Sequence, residues 1–275
     1  MATNKHIVLI GAGNVATHLG IAFKNAGLEI AQIYSRTEAS ASSLGKLLDA
    51  PFVTCTENII EKADIYIVSV KDDALSTLIP DIVKDREEAL FVHTAGSVPM
   101  DIWKGYASRH GVLYPMQTFS KERKIDFNTV SFFVEANNIS DLQALKSMAS
   151  LLSPKVYETS TEQRSYLHAA AVFACNFTNH MYALSARLLQ EHGLPFDAML
   201  PLIDETARKV HELSPHQAQT GPAIRRDTKV MDKHLTMLAN EPKIKELYQM
   251  ISNSIMSGIT LQSCDMNSKT NKEND

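Results

Sequence analysis

Two imidazoles and two amides interrupt a stretch of small apolar residues, HAAAVFACNFTNH, at residues 168–180. The polar positions are His168, Asn176, Asn179 and His180. An imidazole titrates near neutral pH and can therefore donate a proton to a reacting group, and an amide can hold a substrate by hydrogen bonds. The same residue types also occur as hydrogen-bonded groups inside a helical core. The choice between these roles depends on what the rest of the chain binds.

Helix geometry limits which of these side chains can share one site. On an α-helix, Asn179 lies about 20° around the axis from His168 and Asn176 about 80°, so the three can border one groove over a rise of roughly 16 Å. One small site reaches His168 and Asn176 more readily than the whole set. For Asn179 and His180 a packing role is favoured, and Cys175 is interpreted as a small buried hydrophobe.

A glycine-rich loop, IGAGNVATHLG, occupies residues 10–20 at the end of the first predicted strand. Gly11 permits a tight turn, Gly13 lets the backbone approach a pyrophosphate, and Ala16 takes the third small position of the dinucleotide-binding pattern. The phosphates would then lie at the N-terminus of the following helix. The alternative is a tight strand-to-helix turn without a ligand. The predicted cofactor-binding residues of this loop are Gly11, Ala12, Gly13, Asn14 and Val15.

The second predicted strand ends in YSRT, at residues 34–37. A site for NAD usually has an acidic residue near this point, whereas Ser35, Arg36 and Thr37 offer a guanidinium and two hydroxyls suited to a 2′-phosphate. The segment therefore favours NADP over NAD as the cofactor. The alternative is a solvated surface arginine beside two turn residues.

Two further strand ends, VSVKDDAL (68–75) and VHTAGSVP (92–99), fall at the carboxyl edge where open α/β sheets bind ligands. Their small residues allow a nicotinamide ribose to approach. Lys71, Asp72 and Asp73 are given no catalytic role. The predicted cofactor-binding residues here are Val70, Thr94, Ala95 and Gly96, and Ser97 is predicted to bind substrate.

The order of the elements predicts the architecture. β-branched runs at 6–11, 29–35, 64–70, 89–94, 112–116 and 130–135 alternate with amphipathic segments, which is typical of a doubly wound, mostly parallel α/β sheet. After residue 160 the strand signals stop and helical patterns follow. We therefore predict a Rossmann-like NADP-binding domain at 1–158, an all-helical substrate or dimerisation domain at 159–266, and a disordered polar tail at 267–275.

Composition excludes several classes of function. With 275 residues, 44% hydrophobic content and a net charge of −4, the chain has a sizeable core and no basic field for nucleic acid. The sequence contains neither a signal peptide nor an apolar run of membrane length, so we expect a cytoplasmic protein without a membrane partner. Cys55, Cys175 and Cys264 lack metal-ligand spacing, which predicts reduced thiols and no metal site.

These motifs together resemble the 6-phosphogluconate dehydrogenase-like superfamily. Within it the chain is most similar to a largely uncharacterised group of NADP oxidoreductases, some of them described as coenzyme F420-dependent. The motifs that carry the resemblance are GAGNVATHL, HTAGS, YPMQTF, HAAAVFACNFTNH and TGPAIRRDTKVMDKHL. Two positions depart from the group: Tyr114-Pro115 stands where relatives have His-Pro, and Arg226 stands where they have Gly.

The resemblance implies a role for the first long helix after the sheet. In this superfamily that helix runs past the nicotinamide and carries a Lys followed by Asn at helical spacings. His168 takes the Lys position, Val172 one Asn position and Asn176 the other. His168 and Asn176 are therefore predicted as catalytic residues, with His168 as the proton donor. The small residues of the same helix also suit close packing in a homodimer.

The motif TGPAIRRDTKVMDKHL, at residues 220–235, offers a cationic group for an anionic substrate. Arg225 can bind a carboxylate in a bidentate fork, and Asp227 can fix its position. Both are predicted substrate-binding residues. The alternative is a pair of surface charges beside a helix start capped by Thr220 or Gly221.

The resulting hypothesis is an NADP-dependent oxidoreductase that transfers a hydride between the nicotinamide and a C=O or C=N group of a small, anionic substrate. One alternative is a non-catalytic NADP-binding sensor or dimeric scaffold. Another is a reductase that uses coenzyme F420, for which the phosphate site at Arg36 would have little purpose. A prephenate dehydrogenase-like activity is a third, although Tyr114 replaces the His that the analogous motif supplies.

Overall fold

A single eight-stranded sheet organises the first part of the chain in the computed structural model, which describes residues 6–258. The strand order is β3-β2-β1-β4-β5-β6-β7-β8. Neighbouring strands are parallel except for β6 and β7, which are antiparallel. The strands are β1 (His6–Ile10), β2 (Glu29–Tyr34), β3 (Phe52–Val53), β4 (Ile65–Val68), β5 (Leu90–His93), β6 (Arg109–Met116), β7 (Ser131–Ala136) and β8 (Val156–Glu158).

Helices connect the strands and make up the rest of the chain. A π-helix at Val172–Phe177 joins α5 to α6, and short 3₁₀ turns lie in several connections. The helices are α1 (Asn14–Asn25), α2 (Glu38–Leu48), α3 (Asp72–Val83), α4 (Ile139–Ser150), α5 (Thr161–Ala171), α6 (Thr178–Glu191), α7 (Leu200–Glu212), α8 (Pro215–Ala218), α9 (Thr228–Met237) and α10 (Pro242–Ser257).

The sheet is buried on both faces, which explains its β-branched strands. Successive side chains of β1 point to opposite faces: Ile7 and Leu9 belong to one hydrophobic core, and Val8 and Ile10 to the other. All four are completely buried. The doubly wound α/β fold predicted from the alternation of strands and helices is confirmed.

The carboxyl edge of the sheet brings the predicted ligand-binding segments together. The strand order reverses between β1 and β4, and open α/β sheets bind ligands at such a switch point. Gly11 follows β1, and Thr94 follows β5 next to β4. The sheet therefore collects the glycine loop and the HTAGS segment at one edge.

The chain divides into two compact units, Met1–Leu184 and Ser185–Asp275. The last strand ends at Glu158, whereas the first unit continues through α5 and the π-helix to Leu184. The domain boundary at 158/159 stays a prediction. In the helical unit the buried apolar residues among those described are Ala223, Met231 and Leu238. The predicted tail at 267–275 lies outside the described residues.

No helix between residues 6 and 258 is long and apolar enough to cross a membrane. The same part of the chain contains no group of three or more His, Cys, Asp or Glu side chains that could hold a metal ion.

Candidate active site

The glycine loop makes a turn that only glycine accommodates at its first position. Gly11 has a φ of 111°, and a Cβ atom there would lie 2.4 Å from the carbonyl oxygen of Ser69. The Gly11 amide donates to the carbonyl of Tyr34 at 2.7 Å. Gly11 therefore lets the chain turn from β1 into α1 while it is packed against the end of β4.

The N-terminus of α1 suits an anion. Gly13 is the N-cap residue, no side chain caps the helix, and the first turn contains no acidic residue. A Cβ atom on Gly13 would meet nothing within 4 Å, so the space beside the first helical amides is open. Free amides and the positive end of the helix dipole favour a phosphate group at this position. The chain thus fits the pyrophosphate of a dinucleotide.

The neighbours of Gly13 have structural tasks as well. Ala12 is 7% exposed and belongs to the core, where Val15 packs against it. The side-chain amide of Asn14 donates to the carbonyl of Phe119 at 2.8 Å, which holds the loop after β6 on α1. Asn14 can therefore offer a phosphate its backbone amide, while its side chain fixes the adjacent loop.

Arg36 lies where a 2′-phosphate is expected, just beyond β2. Ser35 is held by a backbone hydrogen bond from its amide to Val53 at 3.2 Å, and Thr37 is the N-cap of α2 without a capping side-chain bond. The Arg36 side chain is exposed and makes no ion pair within residues 6–258. Its guanidinium and the two hydroxyls are available to a ligand.

The ends of β4 and β5 are tied together by side chains. Thr94 is 8% exposed, and its hydroxyl donates to the Ser69 hydroxyl at 3.0 Å. Ser97 donates a short hydrogen bond to a carboxylate oxygen of Asp72, a residue to which the sequence analysis gave no role. Val70 packs against the hydrophobic core beside these groups.

His168 meets the sheet at the HTAGS segment. Its Nδ1 atom lies 3.4 Å from the hydroxyl of Tyr114, and the two rings are arranged edge to face. A Cβ atom on Gly96 would lie 2.6 Å from His168 Nδ1 and 2.9 Å from Tyr114 Cζ. The absence of a side chain at Gly96 is therefore what allows the imidazole and the phenol to approach each other.

Burial favours the neutral form of the Tyr114 hydroxyl. Desolvation raises the pKa of Tyr114 above its usual value, although the nearby charge of Arg164 opposes this effect. A neutral phenol can accept a hydrogen bond from an imidazolium without removing its proton. Tyr114 can thus orient the His168 ring and leave Nε2 directed elsewhere.

The completely buried Arg164 anchors α5 to the sheet, and the sequence analysis did not identify it. One of its guanidinium nitrogens donates to the carbonyls of Ala95 at 3.0 Å, Gly96 at 2.9 Å and Val98 at 2.7 Å. The other nitrogen forms an ion pair with Glu135 at 3.2 Å. Because His168 follows one turn later, this contact sets where the imidazole meets Gly96.

The start of α5 is fixed by the same carboxylate. Glu135 accepts hydrogen bonds from the backbone amide and the hydroxyl of Thr161, both at 2.9 Å. Ser160 and Gln163 form a capping box at the helix N-terminus. Burial lowers the pKa of Arg164, and Glu135 opposes that shift.

Asn176 lies in the π-helix, farther along the chain from the Tyr114–His168 contact. Together with Asn179 it borders a cavity of about 710 Å³ whose other wall is the loop between β6 and β7. The helical-wheel prediction does not apply here, because a π turn holds more residues than an α turn and changes the register after it. His168 and Asn176 thus lie on one helical segment, but His168 contacts Tyr114 and Gly96, whereas Asn176 lines the cavity.

Three interpretations of this segment were wrong. Cys175 was interpreted as a buried hydrophobe, and Asn179 and His180 as packing groups, but all three are exposed. The side chains of this part of the helix are exposed and do not lie in a core. Asn179 and Cys175 line the cavity.

The helical unit contains Arg225 and Asp227. Asp227 is the N-cap of α9, and its carboxylate accepts from the amide of Val230 at 3.2 Å. The helix therefore starts after Asp227, and the interpretation of Thr220 or Gly221 as its cap was wrong. Arg225 is exposed, and the proposed binding of a substrate anion by Arg225 and Asp227 stays a prediction.

A second cavity, of about 530 Å³, lies at the opposite edge of the sheet. It is lined by His6, Ile65, Leu90 and Arg109, which begin their strands. Ligands of open α/β sheets bind at the carboxyl ends of strands, so this cavity is not the expected site.

Comparisons with known proteins show the family of this chain. The profile of NADP oxidoreductases described as coenzyme F420-dependent matches residues 6–96, and that of a domain of unknown function, DUF2520, matches residues 130–255. A candidate NADP oxidoreductase from Bacteroides fragilis has a solved structure with a TM-score of 0.88 and 55% identity, over 92% of this chain and 98% of that chain. A search of curated proteins gave no match.

Two more distant structures share the fold. An imine reductase from Myxococcus stipitatus, solved with NADP⁺, has a TM-score of 0.65 and 16% identity over 92% of this chain and 95% of its own. A 1-pyrroline-5-carboxylate reductase from Streptococcus pyogenes has a TM-score of 0.63 and 14% identity over 93% and 100%. At such identities the similarity concerns the fold alone.

Proposed function

Since this chain belongs to the NADP oxidoreductase family of the Bacteroides fragilis protein, we propose that it transfers a hydride between NADP and a C=O or C=N carbon of a small, anionic substrate. The family and its cofactor follow from the comparisons, and the kind of bond reduced is the proposal. The observation that carries it is the contact of His168 with Tyr114 and Gly96, next to the strand ends where the nicotinamide is expected.

In this proposal the chain holds the cofactor in one position. The residues that fit NADP are the α1 N-terminus at Gly13 for the pyrophosphate, Arg36 for the 2′-phosphate, and Thr94 to Gly96 for the nicotinamide ribose. When bound, NADPH supplies the hydride. The residues of the chain supply the proton and the orientation of the substrate.

His168 is the proposed proton donor. In its imidazolium form, Nδ1–H donates to the neutral Tyr114 oxygen, and Nε2–H remains for the alkoxide or amine that develops on the substrate. Arg164 holds the helix so that this geometry is kept. Asn176 and Ser97 are proposed to bind other polar atoms of the substrate.

The structural relatives favour a C=N substrate within this proposal. The Myxococcus protein is an imine reductase and the Streptococcus protein reduces a cyclic imine that bears a carboxylate, according to their names. An imine nitrogen gains a proton as its carbon gains hydride, which suits a site with a proton donor such as an imidazole.

A homodimer completes the proposal. Large apolar side chains of the described helical unit are exposed, among them Leu202 at 62%, Met250 at 62% and Met237 at 72%. Exposed apolar surface of this extent is typical of a protein interface. A second copy of the chain is the proposed partner, in the cytoplasm.

The proposal is tested with His168→Ala and Tyr114→Phe. Loss of a general acid lowers turnover by about 10²–10⁴-fold, and NADPH affinity is expected to change little because neither side chain lies at a phosphate site. Turnover is measured as NADPH oxidation with a panel of imines and oxo acids, and affinity by calorimetry. Full activity in His168→Ala would show that the imidazole does not take part in the reaction.

The alternatives make different predictions in the same assay. A sensor or scaffold would bind NADPH and oxidise none of it with any substrate of the panel. A coenzyme F420-dependent reductase would transfer hydride between NADPH and F420, so F420 belongs in the panel. Prephenate is included for the dehydrogenase alternative, with NADP⁺ as the oxidant.

A further inference from the structure

We propose that the cavity between loop 117–129 and helical segment 174–182, called here the loop cavity, binds the carboxylate of the substrate through Arg123, with Lys124 as a second cation. The proposal rests on the proposed function for the identity of the ligand as a substrate. The part of the proposal that concerns anion binding by these two cations does not depend on the proposed function.

The loop wall is fixed to the helix that serves the cofactor. Asn14 donates to the Phe119 carbonyl at 2.8 Å, and Nε2 of His18 lies 2.9 Å from the carbonyl oxygen of Ser120. The rings of His18 and Phe119 pack with their centroids 5.6 Å apart. Loop 117–129 is thereby held against α1, whose N-terminus fits the pyrophosphate. The loop cavity therefore flanks the cofactor site.

The charge of this wall favours an anion. Neither Arg123 nor Lys124 has a side-chain hydrogen bond or ion pair with another residue in the described part of the chain. Asp126 is the one carboxylate among the described lining residues, and it accepts hydrogen bonds from the amide of Asn128 at 3.1 Å and from its side chain at 2.9 Å. The described lining thus contains two cations without such partners and one carboxylate that already has them. A guanidinium binds a carboxylate with two parallel hydrogen bonds.

The helical wall provides groups that orient a bound molecule. Asn176 and Asn179 contribute amides, and Tyr182 contributes a phenol. Asn176 belongs to the π-helix, and such turns occur frequently at functional sites. His168 precedes Asn176 by eight positions, about two turns of the same helical segment. A substrate that reaches both His168 and the loop cavity must therefore carry its carboxylate well apart from the C=O or C=N carbon. 2-Oxobutanoate is accordingly a probe of the carboxylate site and not a substrate that spans both groups.

Cys175 is an internal reporter for the charge of the loop cavity, since it is exposed and lines it. In a Cys55→Ser, Cys264→Ser background, the thiolate is labelled with an anionic sulfonatoethyl or a cationic trimethylammonioethyl methanethiosulfonate. Each reaction forms a mixed disulfide and releases methanesulfinate. Arg123→Gln with Lys124→Gln is expected to lower the ratio of anionic to cationic labelling rates by about tenfold. Lys121→Gln removes a charge from the same loop outside the cavity lining and should change the ratio by less than about twofold.

An unchanged ratio in the double variant would overturn the proposal, provided that thermal melting shows both variants folded. If the ratio falls equally in Lys121→Gln, the effect belongs to the general charge of the loop, and the cavity assignment is likewise overturned.

The ligand class is tested by protection of Cys175 from N-ethylmaleimide in the protein saturated with NADP⁺. We expect saturable protection by 2-oxobutanoate and none by its uncharged methyl ester. Arg123→Gln should raise the half-protecting concentration of 2-oxobutanoate by about 10–100-fold, the effect of losing a charge-assisted hydrogen bond. Absence of protection, equal protection by the ester, or stronger protection by inorganic phosphate would each overturn the carboxylate assignment.

Turnover separates this proposal from the proposed function. Carboxylate protection without NADPH oxidation for any substrate would leave the loop cavity in place and contradict the reductase proposal. NADPH oxidation with an unaltered KM for oxo acids in Arg123→Gln would support the reductase proposal and contradict the binding of the substrate carboxylate by Arg123.

Discussion

At the scale of single residues, we expect Arg36 to select NADP over NAD. Its guanidinium is exposed and without an ion pair in residues 6–258, so a 2′-phosphate gains its hydrogen bonds without displacing a protein partner. Arg36→Ala should weaken NADPH binding by about 1.5–3 kcal/mol and leave NADH nearly unaffected, as measured by calorimetry. Lys46→Ala, which removes an exposed charge from α2, serves as the control. Equal losses for both cofactors would contradict the assignment.

The two glycines of the loop should fail in different ways. Gly13→Val places a side chain in open space, so the fold should persist while the pyrophosphate loses its room and binding is abolished. Gly11→Ala forces a Cβ atom onto the Ser69 carbonyl at a positive φ, so the fold itself should be destabilised, by about 1–3 kcal/mol. Urea denaturation and NADPH titration of both variants distinguish the two effects. Tight binding by Gly13→Val would mean that the phosphates lie elsewhere.

Residue types and spacing predicted roles for the glycine loop and His168, but not for the residues that position them. Arg164 occupies a place in α5 where a charged side chain is usually solvated. Its burial is created by carbonyls of Ala95 to Val98, which precede it by more than sixty positions, and by Glu135 on another strand. Local periodicity contains no information on such partners. Tyr114 was noted as a departure from relatives, and only the fold places it beside His168.

At the scale of elements, the carboxyl end of β5 makes stability depend on pH. Burial, with the charge of Arg164, lowers the pKa of His93 from 6.5 to about 3, and its neutral Nδ1 accepts from the Ala95 amide at 3.2 Å. Between about pH 3 and pH 6.5, His93 is protonated in the unfolded chain and neutral in the folded chain. The stabilisation is therefore fully present above pH 6.5 and is lost as the pH falls toward 3.

We expect this residue to lower the free energy of unfolding by about 2 kcal/mol between pH 7 and pH 5. The measurement is urea denaturation at both pH values for the wild type and His93→Gln. We expect His93→Gln to be less stable than the wild type at both pH values. Between pH 7 and pH 5, its free energy of unfolding should fall by about 2 kcal/mol less than that of the wild type. An identical pH dependence in both proteins would show that His93 titrates normally.

The elements themselves were predictable to different degrees. Long apolar runs such as those of β1 and β5 identified buried strands, because burial on both faces demands apolar residues throughout. The two-residue strand β3 was missed, since Phe52–Val53 is too short for any periodicity. The π-helix was also missed, because its extra residue alters backbone hydrogen bonds without altering composition.

At the scale of the whole molecule, the exposed apolar residues of the helical unit predict self-association. Leu202→Glu places a charge on α7 at a side chain that is 62% exposed, so it should disrupt a homodimer without disturbing a core. Light scattering after gel filtration should report a dimer for the wild type and a shift toward monomer for the variant. Thr206→Glu, whose exposed side chain is polar, is the control. A monomeric wild type would contradict the proposed dimer.

The division of the chain after Leu184 bears on how such proteins can exchange parts during evolution. The proposed proton donor, its phenol partner and the dinucleotide loop all precede that point. A crossover at 184/185 would pass them on together and replace only the later helices. A crossover at 158/159, where the strands end, would instead combine a Gly96 from one parent with a His168 and an Arg164 from another. Recombination at the later junction would thus vary the helical unit and keep the proposed proton donor together with the dinucleotide loop.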